Sequence, residues 1–281
     1  MKTKFKFANS IEINRLGYGA MQLTGAGVLG DPSDRPSAVE LLRTAVAEGI
    51  NFIDTADSYG PHTNEVLISD ALSPLKEKHL TIATKGGLER PGPGQWSPNG
   101  RPEYIQNAID GSLKRLRVDA IDLWQLHRVD SRYPIEDTLA PVAAAVKAGK
   151  IKHVGLSEVD VSLIERAQKV VPIASVQNHY NLENREWESV LEYTRSRGMA
   201  FIPWFPLASG PDELANPVHN IAKAHRASPA QIAIAWLIRH SDNIVIIAGT
   251  KSIQHLRENI AAAGIELTDE EYRVLCKIGG K

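Results

Sequence analysis

The feature that most constrains this chain is a repeated change of apolar period along its length. Short strand-like runs stand at Leu16–Ala20, Asn51–Asp54, Leu80–Thr84, Ile121–Leu126, Lys152–Leu156, Ile173–Gln177, Met199–Trp204 and Ile244–Ile247. Between them the apolar residues recur at helical spacing: Val39, Leu42 and Val46 share one face, as do Ile105, Ile109, Leu113 and Leu116. Gly49 and Gly149 stand as helix stops, and Gly198 just precedes a strand. Strands separated by helices must run parallel, because a tight hairpin can only return a strand antiparallel. Eight such units in 281 residues average about 35 residues each, which predicts a (β/α)8 TIM barrel. An open doubly wound sheet is the competing arrangement. Ahead of the first unit, Phe5-Lys-Phe and Ile11-Glu-Ile alternate like a short N-terminal β-hairpin. No Pro/Ser-rich linker or like-charge block interrupts the pattern, so residues 1–281 read as one domain.

Composition removes several classes of function. Lys and Arg number 32 against 33 Asp and Glu, a net charge of −1, which argues against nucleic acid or an anionic membrane as the main partner. A chain 43% hydrophobic is not disordered. Cys276 is the single cysteine. The start, Met1-Lys-Thr-Lys-Phe-Lys, lacks the apolar core of a signal peptide, and no run of about 18 apolar residues exists to span a bilayer. These features predict a cytoplasmic protein. They carry no signal for an oligomeric state.

Some motifs fail on inspection. Gly25-Ala-Gly27-Val-Leu-Gly30 matches the dinucleotide fingerprint, but that motif needs a helix at its third glycine. Here Pro32 and Pro36 follow and oppose such a helix, so the segment reads as a loop. Gly155-Leu-Ser157-Glu-Val159 lacks the second glycine of a nucleophile elbow. No paired Cys/His spacing for zinc is found, and no metal is expected.

In a barrel, the loops leaving the C-terminal ends of the strands gather into one ring. The polar residues that would meet there are Met21-Gln22, Asp54 with Tyr59, Lys85, His127, Ser157-Glu158, Gln177-Asn178, Trp204 and Gly249-Thr250-Lys251. Taken singly, each has an ordinary explanation as cap, packing or snorkelling side chain. A carboxylate, a phenol, an ammonium and an imidazole at one barrel mouth are harder to dismiss.

This set resembles the aldo-keto reductase family. The likeness runs through Leu16-Gly-Tyr-Gly-Ala-Met21, Asn51-Phe-Ile-Asp-Thr-Ala-Asp-Ser-Tyr-Gly60, Ala83-Thr-Lys85, the Asp122 to His127 strand, Val154-Gly-Leu-Ser157, Val176-Gln-Asn-His-Tyr-Asn181, Pro206-Leu207 and Ala248-Gly-Thr-Lys251 with Glu258-Asn259. The resemblance implies a barrel that binds NADP(H), with NAD(H) left open, and reduces aldehydes or ketones with an Asp54, Tyr59, Lys85 and His127 tetrad. A carbonyl accepting hydride gathers negative charge on oxygen and needs a proton donor. Tyr59 would be that donor, Lys85 would lower its pKa from about 10, Asp54 would hold Lys85, and His127 would orient the carbonyl. By the same resemblance Ser157, Glu158 and Gln177 hold the nicotinamide carboxamide, and Trp204 takes the place of the aromatic, usually Tyr, that stacks on its ring. Pro206, Leu207 and Ser209 follow the pyrophosphate. Gly249, Thr250, Lys251 and His255 surround the adenosine phosphate, Glu258 and Asn259 contact adenine, and Met21 and Asp54 complete the set.

Three departures from the family pattern stand out. Glu158 replaces the commoner Asn, and a carboxylate accepts but cannot donate. His255 stands where an Arg often grips the 2′-phosphate. The segment Leu267–Ile278 is followed by little chain, so the site is expected to be open. Met21, Tyr59, Trp96, His127 and Trp204 would line the substrate pocket, which favours a small aryl or planar aldehyde, pyridoxal-like compounds among them. The alternative is a cofactor-sensing barrel that regulates a partner protein with little turnover. The intact tetrad disfavours it.

Overall fold

The structure, a computed structural model, describes residues 3–7, 11–75, 79–207 and 214–279. Its centre is an eight-stranded parallel sheet. Chain order runs β3 (Leu16–Gly19), β4 (Phe52–Asp54), β5 (Thr81–Gly86), β8 (Ile121–Leu126), β9 (Ile151–Ser157), β10 (Ile173–Gln177), β11 (Ala200–Phe201) and β12 (Ile246–Ile247), and each from β3 to β10 pairs with the next. β12 pairs back onto β3, and a parallel bridge from Phe201 to Ile244 joins the last edge, so the sheet closes. The barrel prevails over the open sheet. Closure is reinforced inside by Arg15, which is buried and donates to the carbonyls of Ile244 (2.9 Å) and Ile238 (3.0 Å), and to that of Ser241.

β1 (Lys4–Phe7) and β2 (Ile11–Asn14) form the antiparallel hairpin. Its expected turn at residues 8–10 lies outside the described residues. Phe7 and Ile13 are buried against Phe52, with the Phe7 and Phe52 rings 5.9 Å apart. The hairpin therefore plugs the barrel at its N-terminal end, where burying one Phe contributes about 1.5–3 kcal/mol.

The strand alternation sorts the interior into layers. Phe52, Ala83, Leu123, Ala200 and Val245 form an apolar floor. Two residues further on, the same inward face carries Asp54, Lys85 and Gln125. The interior thus changes from apolar to polar toward the C-terminal ends. Gly19 and Gly249 let the ends of β3 and β12 approach closely: a Cβ on Gly249 would sit 2.8 Å from the Gly19 carbonyl oxygen.

The sequence reading differs in three places. β11 and β12 keep only two ladder residues each, although beyond β11 the N–H groups of Ile202 and Trp204 still donate to the Val176 and Asn178 carbonyls. Pro36 is not a helix breaker. It lies in the first turn of α1 (Arg35–Ala47), where a missing N–H costs nothing, and Asp34 caps the Ser37 N–H at 3.0 Å. The helix still begins five residues after Gly30, so the glycine segment is a loop, with Gly27 and Gly30 at φ 64° and 71°. A short hairpin, β6 (Leu88–Glu89) with β7 (Ser97–Pro98), was not legible and presents Trp96. Among the described residues no helix is long and apolar enough to cross a membrane.

Candidate active site

The structure brings Asp54, Tyr59, Lys85 and His127 together. Lys85 is fully buried and its Nζ lies 2.5 Å from Asp54 Oδ1, 2.9 Å from the Thr55 carbonyl and 3.3 Å from the Tyr59 hydroxyl. Asp54 Oδ2 accepts from the side-chain amides of Gln125 (3.1 Å) and Gln177 (2.9 Å). Both carboxylate oxygens are therefore held and the ammonium is aimed at the phenol. The His127 ring meets the Tyr59 ring edge-on at 5.8 Å, and its Nδ1 lies 3.2 Å from Ser58 Oγ. Nε2 has no protein partner among the described residues.

The electrostatics correct one expectation. Burial lifts the Tyr59 phenol above its ordinary value of 10.0, and Lys85 pulls it down by less than burial raises it. The sign of the Lys85 effect is as expected, but desolvation is larger. Burial opposes the Lys85 charge, yet the attraction of Asp54 and Tyr59 leaves its pKa raised above 10.5. His127 is held well below 6.5 by burial, then by Lys85 and Arg128. At neutral pH the site thus contains an ion pair, a protonated phenol and a neutral imidazole.

A cavity of about 970 Å³ opens above this group. Met21, Asp54, Tyr59, Trp96, His127, Gln177 and Trp204 line one end. Pro206, Leu207, Gly249, Thr250, His255, Glu258 and Asn259 line the other, where α8 (Pro229–His240) and α9 (Ile253–Ala261) begin. Ser157 and Glu158 stand just behind the wall. Lys251 is exposed and does not line the cavity. Ser209 lies outside the described residues.

The first two departures acquire a physical account here. Glu158 follows β9 at φ 55°, a left-handed conformation that Asn tolerates better than Glu. The strain is offset by two hydrogen bonds to its Oε1, from the Trp204 indole N–H and the His179 backbone N–H, each 2.6 Å. That oxygen is committed to the indole. The His179 ring stacks on Trp204 at 4.4 Å, so Trp204 is fixed by a hydrogen bond at its edge and a ring on its face. The imidazole of His255, for its part, is exposed at the cavity rim.

The aldo/keto reductase family model matches residues 15–279. The chain belongs to that family. An uncharacterized oxidoreductase of Schizosaccharomyces pombe is 46% identical over 270 residues, covering 95% of this chain and 87% of that protein. Pyridoxine 4-dehydrogenase of Escherichia coli is 40% identical over 269 residues, with 94% of each chain covered. A thermostable aldo-keto reductase, crystallised with the inhibitor epalrestat, superposes with a TM-score of 0.87 at 31% identity, over 99% of this chain and 100% of that one. As a member of the aldo/keto reductase family the protein is an oxidoreductase built on a (β/α)8 barrel.

Several residues of the reductase site escaped the sequence reading. Gln125 was readable, since it shares the inward face of β8 with Leu123. Ser58 gave no signal beyond its place beside Tyr59. Arg128 was missed because the chain has left the strand at that point and alternation no longer decides direction. Its Nη1 donates to the His127 carbonyl (2.6 Å) and to Ser157 Oγ (3.0 Å), and it lines the cavity. Arg90 also went unnoticed. Its guanidinium lies 3.7 Å from the Trp96 ring centroid and donates to the carbonyls of Gly27 (2.6 Å) and Val28 (2.8 Å), which holds the Trp96 wall against the glycine loop.

Proposed function

We propose that this enzyme reduces small planar aldehydes, aryl aldehydes foremost, to alcohols with NADP(H). The observation that carries the reading is a fully buried ammonium held 2.5 Å from Asp54 and 3.3 Å from the Tyr59 hydroxyl at the mouth of the cavity. Bound NADP(H) supplies the hydride. The residues fit such a group: the cavity reaches from the tetrad to the starts of α8 and α9, and a helix N-terminus suits phosphate oxygens, here through the N–H groups not already capped by Ser228 and Ser252. Ser157, Gln177 and Trp204 would hold the nicotinamide end, Pro206 and Leu207 the pyrophosphate, and Thr250, Lys251, His255, Glu258 and Asn259 the adenosine end.

Tyr59 gives its proton to the carbonyl oxygen as charge gathers there. Its raised pKa keeps the proton in place until then, and Lys85 stabilises the phenolate left behind. Asp54 keeps Lys85 charged in a setting that would otherwise neutralise it. We read Ser58 as the donor to His127 Nδ1, 3.2 Å away, which leaves the neutral ring with its N–H at Nε2, free to hydrogen-bond the carbonyl oxygen that takes the Tyr59 proton. Aromatic walls at Trp96 and Trp204 suit a flat ring, and the likeness to pyridoxine 4-dehydrogenase favours pyridoxal-type aldehydes within the class.

The test is NADPH oxidation with 4-nitrobenzaldehyde. Tyr59→Phe should lower kcat by about 10²–10⁴ while NADPH binding, followed by fluorescence titration, stays unchanged. Equal rates in variant and wild type would remove Tyr59 from its role, and negligible wild-type turnover with NADPH still bound would return the cofactor-sensing alternative.

A further inference from the structure

Arg128 is a half-buried cation with no ion-pair contact among the described residues. Its Nη1 is used by the His127 carbonyl and Ser157 Oγ, which fixes the guanidinium between the carbonyl-orienting imidazole and the serine at the end of β9. A guanidinium has five N–H donors in a planar fork. Nε and Nη2 find no acceptor among the described residues. No carboxylate there comes within ion-pairing distance, and Glu158 acts on Arg128 only from further away, its Oε1 already engaged by Trp204 and His179. Asp54 and Lys85 pair with each other and His127 is neutral, so the distant Glu158 carboxylate offsets the Arg128 charge without contacting it. The part of the fork left without an acceptor matches an oxyanion.

We infer that Arg128 is the specificity-determining residue, receiving an anionic oxygen carried on the ring carbon next to the carbonyl. The preferred substrates are then aryl aldehydes with an ionised hydroxyl ortho to the formyl group. Position argues for substrate over cofactor phosphate. Arg128 adjoins His127 and lies 5.7 Å from the Trp204 ring centroid, whereas the starts of α8 and α9 are at the opposite end of the cavity. The flat walls formed by Trp96 and Trp204 select a ring over an aliphatic keto acid. This inference rests on the reductase reading, since it needs the carbonyl at Tyr59 and His127.

A matched pair of substrates tests it: 3-hydroxypyridine-4-carbaldehyde, whose hydroxyl is ionised near neutral pH, and pyridine-4-carbaldehyde, which lacks it. The readout is the ratio of their kcat/KM values, which cancels general losses of activity. Wild type should favour the hydroxylated aldehyde by about ten- to a hundredfold, the range for hydrogen bonds to a charged group. Arg128→Gln should bring the ratio near one, and Arg128→Lys, with charge but no fork, should fall between. A ratio unchanged in Arg128→Gln, while Tyr59→Phe still abolishes turnover, would overturn the assignment and leave the reductase reading standing. An unchanged ratio with weakened NADPH binding would assign Arg128 to the cofactor instead and also overturn it. Failure of wild type to reduce either aldehyde would remove the reductase reading itself.

Discussion

Replacing Asp54 with Asn removes one charge and almost no volume, so it isolates what the buried pair contributes. In the wild type Lys85 is fully buried, with Asp54 Oδ1 at 2.5 Å and only the Thr55 carbonyl and Tyr59 hydroxyl besides. An Asn side chain cannot satisfy this site in either orientation. Its NH2 meets either the Lys85 ammonium or the two amide donors of Gln125 and Gln177, so donor faces donor. Breaking one half of a buried pair costs about 3–5 kcal/mol, against a total stability of about 5–15 kcal/mol for a domain. Urea unfolding at neutral pH should show a loss of that size with the m-value unchanged. The pH dependence is also fixed in sign. With Asp54 present, the folded pKa of Lys85 lies above its ordinary 10.5, so its stabilisation is complete below 10.5 and is lost only as pH rises through the higher folded value. Without Asp54, burial is the largest influence left and pulls Lys85 down. The unfolded chain then binds the extra proton, so the stability of Asp54→Asn rises with pH, by up to about 1.4 kcal/mol per pH unit, and the gap to wild type narrows toward alkaline pH. A loss under about 1 kcal/mol, or a gap constant with pH, would refute the argument that Asp54 is the main group keeping Lys85 charged.

Other outcomes follow from single contacts. His127 is neutral well below 6.5, so kcat/KM should run level through pH 6.5; an inflection there that disappears in His127→Gln would contradict it. Glu158→Gln and Trp204→Phe should each perturb the site, and a double-mutant cycle in NADPH affinity should give a coupling of about 1.5–3 kcal/mol for the charge-assisted bond; additive effects would mean the bond positions nothing. Lys251→Ala should raise the KM for NADPH more than that for NADH, and parallel changes would remove Lys251 from the 2′-phosphate. Arg15→Met leaves the carbonyls of Ile238 and Ile244 without their buried donor and should cost about 3 kcal/mol, read by urea unfolding, with activity per folded molecule retained.

How much of this was legible in the sequence depends on where each residue stands relative to the strands. Within β4 and β5 the period of two leads to the site residues, and in β8 the same count reaches Gln125, which the sequence reading passed over. Once Phe52, Ala83 and Leu123 face inward, Asp54, Lys85 and Gln125 must do so as well. Position 204 continues the same count from Ala200 and Ile202, although the ladder ends at Phe201. Beyond the strand ends the rule stops. Arg128, Ser58 and the Trp96 hairpin are placed by loop conformation, and nothing in their spacing reveals it. The pKa of Tyr59 was misread for another reason. Charge signs are visible in sequence, but burial is not, and burial outweighed the Lys85 ammonium.

The two substitutions at Glu158 and Trp204 carry this one step further. Considered one at a time, Glu158 is a poor choice for a left-handed position, and it can accept from a carboxamide NH2 but cannot donate to the carboxamide oxygen. Trp204 is a larger ring than the phenol usual there, with an N–H that demands an acceptor. Together they resolve each other's difficulty, since the carboxylate accepts from the indole at 2.6 Å and the bond holds both side chains against the cavity wall. A single-site change back toward the family pattern should therefore be worse than both changes made at once. Glu158→Asn alone relieves the backbone but orphans the indole, whereas Glu158→Asn combined with Trp204→Tyr restores a self-consistent wall. If the double variant bound NADPH no better than Glu158→Asn alone, the two departures would be independent and this account of them would fail.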